Sequence, residues 1–152
     1  MDAVLEALGS SALAQELRFS RWTYAAVNTT HVLGIALLVG SILPLDLRLI
    51  GVWRSVPLEP LTRVLIPVAA TGLVLAMGTG ALLFITRATE YAALNLFFVK
   101  LALIATGAIH ALSVHLGMGL RDAARLRLAG ATSLSIWLAA LVSGRMLAFV
   151  AD

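Results

Sequence analysis

The feature that most constrains this chain is an apolar run over residues 24–50 that carries an imidazole, His31, in its interior. A run of this length predicts a membrane-spanning helix, because about 20 residues, each rising ~1.5 Å, cross the ~30 Å hydrocarbon core of a bilayer. Three polar residues, Asn28-Thr29-Thr30, directly precede the histidine. A polar ring within hydrocarbon is costly unless something binds or satisfies it, so His31 is a functional-site hypothesis.

The composition indicates an integral membrane protein. Of the 152 residues, 61% are hydrophobic and 12% are charged, and the mean hydropathy is +0.98. A soluble domain carries far more charge on its surface. The net charge of +3 comes from arginines near the ends of apolar runs, which indicates membrane topology and lipid headgroups, not nucleic acid. Because the chain has no cysteine, it forms no disulfides and offers no thiolate ligands to a metal or an iron–sulfur cluster.

Four apolar runs predict an all-α fold: a four-helix up-down bundle in the membrane, forming a single domain over residues 1–152. The segment 2–17 is weakly amphipathic and too polar to span. It predicts a short interfacial N-terminal helix with a break near residues 9–11. The predicted spans cover approximately residues 22–51, 61–86, 91–118 and 128–150.

Small residues recur at every fourth position of the second span, at Gly72, Ala76 and Gly80. Such a stripe lets a neighbouring helix approach closely. It predicts helix packing, and it suits a contact within the chain as well as the seam of a homodimer.

Arginines distinguish the two ends of the bundle. Six fall on the side of the first and third links and four on the other side, a modest bias that predicts both termini outside the cytoplasm in a bacterial inner (plasma) membrane. Asp2 and Glu6 stand where a signal peptide carries bases, so no cleaved leader is expected. The two groups are Arg48, Arg54, Arg63, Arg121, Arg125 and Arg127, and Arg18, Arg21, Arg87 and Arg145.

Several polar side chains are expected near the depth of His31. His31 lies about nine residues past Trp22 and Lys100 about nine past Tyr91, so both lie roughly 13 Å from the same end. The plain alternatives are that His31 ties two helices through a backbone carbonyl and that Lys100 snorkels to the interface. The other polar residues expected near this end are Asn28, Asn95 and Arg145.

Two further histidines lie in the third span at greater depth. His110 is about ten residues beyond Lys100, and His115 is close enough to the far end to contact lipid headgroups. If His110 and His31 act on one cofactor, the bundle must be staggered. Otherwise His31 has another partner or His110 has a separate role.

Two chemistries fit these groups. The first is haem b, with the imidazoles of His31 and His110 as axial ligands, Asn28 and Arg145 as further contacts, and arginines at the outer end for the propionates. The small residues expected to leave room for the ring are Gly34, Gly72 and Gly107, and the propionate arginines are Arg18, Arg21, Arg87 and Arg145. The second is a soft metal such as copper, bound by His31, His110 and Met77.

Two parts of the chain resemble known membrane proteins. The segments HVLG (31–34), GSILP (40–44) and LR (47–48) resemble the first span of the HemJ-type protoporphyrinogen oxidases and the related CopD-type copper-resistance proteins. The segment FVKL (98–101), followed by Ile109-His110, resembles a Lys-Leu…His span of the HemJ type. This resemblance implies that His31 and Lys100 form an essential pair and suggests haem b as the cofactor.

A narrower resemblance extends over most of the chain. Tyr24 followed by HVLG, the segment DLRLIG (46–51), Thr79-Gly80, and Phe97 followed by Lys100-Leu101 are similar to a family of uncharacterised bacterial four-helix membrane proteins in the same broad group. This resemblance implies the same four-span fold.

The leading functional prediction is a membrane b-type haem protein that transfers electrons or oxidises a hydrophobic substrate, which would make it a haem-dependent oxidoreductase. His31 is the expected axial ligand. Lys100 would hold a propionate, a substrate carboxylate or a proton, and His110 would be a second ligand or a proton relay. The alternatives are a copper-handling or transport protein without haem, and a cofactor-free structural subunit. The expected partners are the lipid bilayer, a redox partner or hydrophobic small molecule, and a second copy of the chain.

Overall fold

A computed structural model of the protein describes residues 2–117 and 123–150, and these residues form seven helices and no strand. The short helices are α1 (Asp2–Gly9), α2 (Ala12–Phe19) and α5 (Ala88–Ala92). The long helices are α3 (Arg21–Ile50), α4 (Leu58–Thr86), α6 (Asn95–His115) and α7 (Ala123–Val150).

The four long helices are each long and apolar enough to cross a membrane, which confirms the predicted all-α bundle with four spans. Three boundaries differ from the prediction. The second span begins at Leu58, three residues before the predicted position 61. The third span begins at Asn95 and not at Tyr91, because α5 and an extended Leu94 precede it. The fourth span begins at Ala123, five residues before the predicted position 128. The predicted end of the third span at residue 118 lies outside the described residues.

Local sequence signals account for the helix ends. Ser20 caps α3, and its hydroxyl accepts a hydrogen bond from the Thr23 amide, which satisfies one of the free N–H groups of a first helical turn. Gly51 ends α3 with φ +118°, a left-handed conformation that glycine adopts without steric cost. Ser11 caps α2 in the same way as Ser20 caps α3, so the N-terminal segment is divided at residues 10–11.

Arg18 joins the N-terminal segment to the second span. Its Nη2 donates to the backbone carbonyl of Thr86 at 2.6 Å, near the C-terminal end of α4, where carbonyl groups lack helical partners. Ala14 and Leu17, on the same short helix, are completely or almost completely buried. The segment is therefore docked on the end of the bundle through both apolar and polar contacts.

Neighbouring long helices are antiparallel, and α3 and α7 form the inner pair. Gly34 of α3 lies against Ala76 of α4, and Leu38, one turn further, lies against Gly72. Helix α3 contacts both α4 and α7, and α7 also contacts α6. The backbones of α4 and α6 do not approach each other within the described residues.

The helices α3 and α4 meet most closely at two glycines. A Cβ atom at Gly34 would lie 2.7 Å from the backbone nitrogen of Ala76, and one at Gly72 would lie 2.5 Å from that of Leu38. Both distances are far below van der Waals contact, so only glycine permits this approach. The small-residue stripe of the second span is therefore used within the chain.

A compact apolar cluster joins the inner pair. Trp137 of α7 packs with Leu38 and Ile42 of α3, and a Cβ atom at Gly107 of α6 would lie 3.0 Å from its ring. The expectation that Gly34, Gly72 and Gly107 leave room for a porphyrin is therefore wrong, because neighbouring helices fill the space beside all three.

We expect Gly34→Ala and Gly72→Ala to lower the stability of the bundle by about 1–3 kcal/mol, the usual cost of overpacking. The added methyl group would meet backbone atoms, which cannot rotate away. Thermal unfolding of the purified protein in detergent measures the effect as a lower midpoint.

Gly40→Ala on α3 and Gly78→Ala on α4 are matched controls, because a Cβ atom at either position meets nothing within 4 Å. These controls should leave the midpoint unchanged or raise it slightly, since alanine favours a helix over glycine by about 1 kcal/mol. Equal destabilisation in all four variants would contradict the close approach of α3 and α4.

Candidate functional site

Residues from all four spans meet at one level near the end of the bundle that carries α5. We call this end the outer end, and we call the half of the bundle away from α5 the inner half. A Cβ atom at Gly80 of α4 would lie 3.1 Å from His31 Cε1, and one at Gly144 of α7 would lie 3.3 Å from Lys100 Cε. We call His31, Thr79, Lys100 and Gly144 the His31 layer.

The register between α3 and α7 places His31 and Gly144 at one level. In the inner half, a Cβ atom at Gly130 of α7 would lie 2.9 Å from the Asp46 carbonyl of α3. His31 is 15 residues before Asp46 and Gly144 is 14 residues after Gly130, about 21–22 Å along each antiparallel helix. The predicted common depth of His31 and Lys100 therefore agrees with the arrangement of the helices.

The hydrogen bonds around Thr79 determine which nitrogen of His31 carries the hydrogen. The Thr79 hydroxyl donates its one hydrogen to the Leu75 carbonyl. It must therefore accept from His31 Nδ1, which lies 3.1 Å from Thr79 Oγ1. The Ala76 carbonyl also lies near the ring. A neutral imidazole carries one hydrogen, so a hydrogen on Nδ1 leaves a lone pair on Nε2.

Lys100 crosses the bundle at the same level and lies close enough to act electrostatically on the His31 ring. Its methylene groups pass over Gly144, where any larger residue would displace them. The lysine is partly buried, and no carboxylate within the described residues forms a salt bridge with it. The His31 layer therefore combines a nitrogen lone pair with a lysine that has no anionic partner among the described residues.

Aromatic rings cover the outer side of the His31 layer. Phe84 of α4 and Phe97 of α6 stack with ring centroids 5.0 Å apart, and Tyr91 of α5 lies 6.2 Å from Phe97. Phe84 is five residues past Thr79 and Phe97 is three residues before Lys100. These rings, the aromatic cluster, join α4 to α6 above the site and limit the access of water from that end.

The remaining polar residues predicted for this end are more exposed. Asn28, one turn before His31, and Asn95, the first residue of α6, are both exposed. Arg145 is also exposed, and its guanidinium lies 4.6 Å from the centre of the Phe149 ring on its own helix. Of the other arginines predicted at this end, Arg18 is bound to the carbonyl of Thr86, and Arg87 pairs with Glu90 at 3.4 Å.

His110 does not share the site of His31. Its Nε2 lies 3.0 Å from the Ala129 carbonyl, and because a carbonyl only accepts, this nitrogen carries the hydrogen. Ala129 adjoins Gly130, which contacts Asp46, so His110 lies in the inner half of the bundle, ten residues or about 15 Å from Lys100 along α6. The structure therefore does not bring the two imidazoles to a common ligand.

Within the described residues, no group of three or more His, Cys, Asp or Glu side chains is arranged to hold a metal ion. Two open surface depressions, of about 330 and 320 Å³, lie along α4 and between α3 and α4. Neither includes a residue of the His31 layer. The side chains predicted to bind copper, His31, His110 and Met77, are thus not gathered, and Met77 is exposed.

Two positions important to the structure received no functional role from the sequence. Thr79 orients His31, and its only sequence signal is a threonine beside a glycine on an apolar helix. An aspartate near the end of a span usually lies at the interface, in an ion pair or against a lipid headgroup, but only 3% of Asp46 is exposed. The short residues Gly130 and Ser133 on the facing span are the signal that a carboxyl could be buried there.

Comparison of the chain with protein-family models, with curated proteins and with solved structures finds no match. The functional argument therefore depends on the chemistry of the site.

We expect nitrogen-15 NMR of the histidine side chains in detergent to find neutral His31 with its hydrogen on Nδ1. Thr79→Val removes the acceptor while keeping the shape of the side chain, so this tautomer should lose its preference. Thr71→Val is the matched control, because the exposed Thr71 hydroxyl bonds only to the Pro67 carbonyl of its own helix. A hydrogen on Nε2 in the unaltered protein would contradict the assignment.

Proposed function

We propose that this chain is a membrane haem b protein in which His31 would hold the iron through Nε2 and Lys100 would neutralise a propionate. The observation that carries the proposal is the orientation of His31. Its Nδ1 is held by Thr79 at 3.1 Å, which leaves the lone pair on Nε2. Histidines that bind metals commonly donate their other ring N–H to a neighbouring acceptor, which sets the tautomer and the ring direction.

The side chains of the His31 layer support a haem with one protein ligand. His110 fits poorly as a second ligand, since its Nε2 is bound to a carbonyl and it lies in the other half of the bundle. Neighbouring helices fill the space beside Gly34, Gly72 and Gly107, so a porphyrin ring cannot lie there. The backbones of α4 and α6 stay apart, however, so direct helix packing does not close the His31 layer between them.

Each residue has a distinct task in this proposal. Bound haem supplies one-electron chemistry, and its potential depends on its axial ligand and the polarity around it. Thr79 orients the imidazole of His31, and Lys100 supplies positive charge where a carboxylate of the cofactor or of a substrate would be costly without it. The aromatic cluster restricts water. The exposed residues Asn28 and Arg145 are further proposed contacts for the propionates.

The proposed reaction is electron transfer or the oxidation of a hydrophobic substrate that reaches the site from the bilayer. A copper-handling protein and a cofactor-free structural subunit are the competing functions. The dispersed positions of His31, His110 and Met77 give copper no specific support.

We expect the protein, purified in detergent after expression with ample haem, to have a Soret band and sharp α and β bands on reduction with dithionite. His31→Ala should abolish these bands. His110→Ala, the matched control on another span, should retain them. Bands retained in His31→Ala, or a featureless visible spectrum in the unaltered protein, would overturn the proposal in favour of copper handling or a structural role.

Lys100→Met keeps most of the side-chain volume and removes the charge. A hydrogen bond to a charged group contributes about 1.5–3 kcal/mol, so this variant should bind haem at least about tenfold more weakly, as measured by titration of the apoprotein. An unchanged affinity would remove Lys100 from the proposed site and leave the role of His31 intact.

A further inference from the structure

Asp46 is a buried carboxyl that the proposed haem site does not use. Only 3% of Asp46 is exposed, and the Oδ2 atom of its carboxyl has no hydrogen-bond partner among the described residues. It lies in the inner half of the bundle, 15 residues or about 22 Å from His31 along α3. Buried polar atoms are nearly always bonded in folded proteins, so an unbonded carboxylate oxygen requires an explanation.

Helix α7 forms the wall that faces this carboxyl. The hydroxyl of Ser133 is the side-chain partner of the Asp46 carboxyl, and Gly130, one turn away, allows the two helices to approach. One turn further along the same face, the Nε1 of Trp137 is also buried without a partner. The interface between α3 and α7 thus contains an acceptor and a donor that the described protein groups leave unsatisfied.

Among the described residues, no lysine, arginine or histidine forms an ion pair with Asp46. On its own helix, Arg48 projects elsewhere and donates to the carbonyls of Val56 at 2.6 Å and Arg54 at 3.2 Å. On α4, Arg63 is exposed and paired with Glu59. The titratable groups on α7 and α6 nearest this level are the exposed arginines at the start of α7 and His110, whose Nε2 is bound to the Ala129 carbonyl.

An isolated carboxylate in an apolar interior is strongly unfavourable, whereas the neutral acid costs far less. A protonated carboxyl also suits Ser133, since a hydroxyl can accept a hydrogen bond from a protonated oxygen as well as donate one to a carboxylate. Asp46 is one helical turn from Ile50, where α3 ends and the exposed loop 52–57 begins. A proton therefore has a short route between the carboxyl and water.

We propose that Asp46 and Ser133 form a proton-binding site in the inner half of the bundle, in which the Asp46 carboxyl is protonated at neutral pH and exchanges its proton with water. The site is independent of the haem proposal, because its residues lie about 22 Å from the His31 layer.

Infrared spectroscopy tests this proposal, because the carbonyl stretch of a protonated carboxylic acid is separate from that of a carboxylate. The chain has eight acidic residues, and Asp46 alone lies in the interior of a span. At neutral pH the protein should therefore have one protonated-acid band. The band should be absent in Asp46→Asn and unchanged in Glu59→Gln, the matched control in an exposed ion pair.

Two further measurements keep the test independent of how well Asp46→Asn folds. Ser133→Ala should move the band to higher frequency, since it removes the hydrogen bond to the acid and keeps its proton. Transfer into D₂O should shift the band of the unaltered protein as deuterium replaces the proton. No protonated-acid band at neutral pH, a band that persists in Asp46→Asn, or a band unaffected by D₂O would overturn the proposal.

Discussion

The close approach of α3 to α4 at Gly34 and Gly72 is the contact on which the rest of the structure depends. In a bilayer the surrounding lipid is as apolar as the side chains, so helices associate through van der Waals packing and hydrogen bonds and not through the exclusion of water. Two positions without side chains allow backbone to meet backbone there. This register also brings His31 against Thr79 and Gly80, which forms the polar end of the same seam.

The chain contrasts two ways of placing a histidine in a membrane span. His110 uses its Nε2 hydrogen to join α6 to α7 through a backbone carbonyl, a role that requires no ligand. His31 donates its Nδ1 hydrogen to the Thr79 hydroxyl, which itself donates to the Leu75 carbonyl. The lone pair of the His31 ring therefore remains on Nε2. Position in the sequence does not distinguish these residues, but the chemistry of the neighbouring acceptor does.

Polar function in this bundle is divided between two levels. The outer level contains an imidazole and a lysine beneath stacked aromatic rings, and it is the level at which we propose that haem binds. The inner level contains a carboxyl whose side-chain partner among the described residues is a serine. Small residues on α7 make both levels possible, since Gly144 receives the lysine stem and Gly130 allows α3 to approach.

The sequence by itself determined the four apolar spans, the break in the N-terminal segment and the common depth of His31 and Lys100, because hydropathy, capping residues and the rise of a helix are local properties. It did not determine the start of α6, which follows from the extra helix α5. Nor did it determine that neighbouring helices fill the space beside Gly34, Gly72 and Gly107, that His110 lies in the other half from His31, or that Asp46 is buried. Those features depend on which helices are neighbours and in which register. Only the tertiary structure decides them, because many apolar surfaces of similar composition could pair and only the steric fit of particular small residues selects among them.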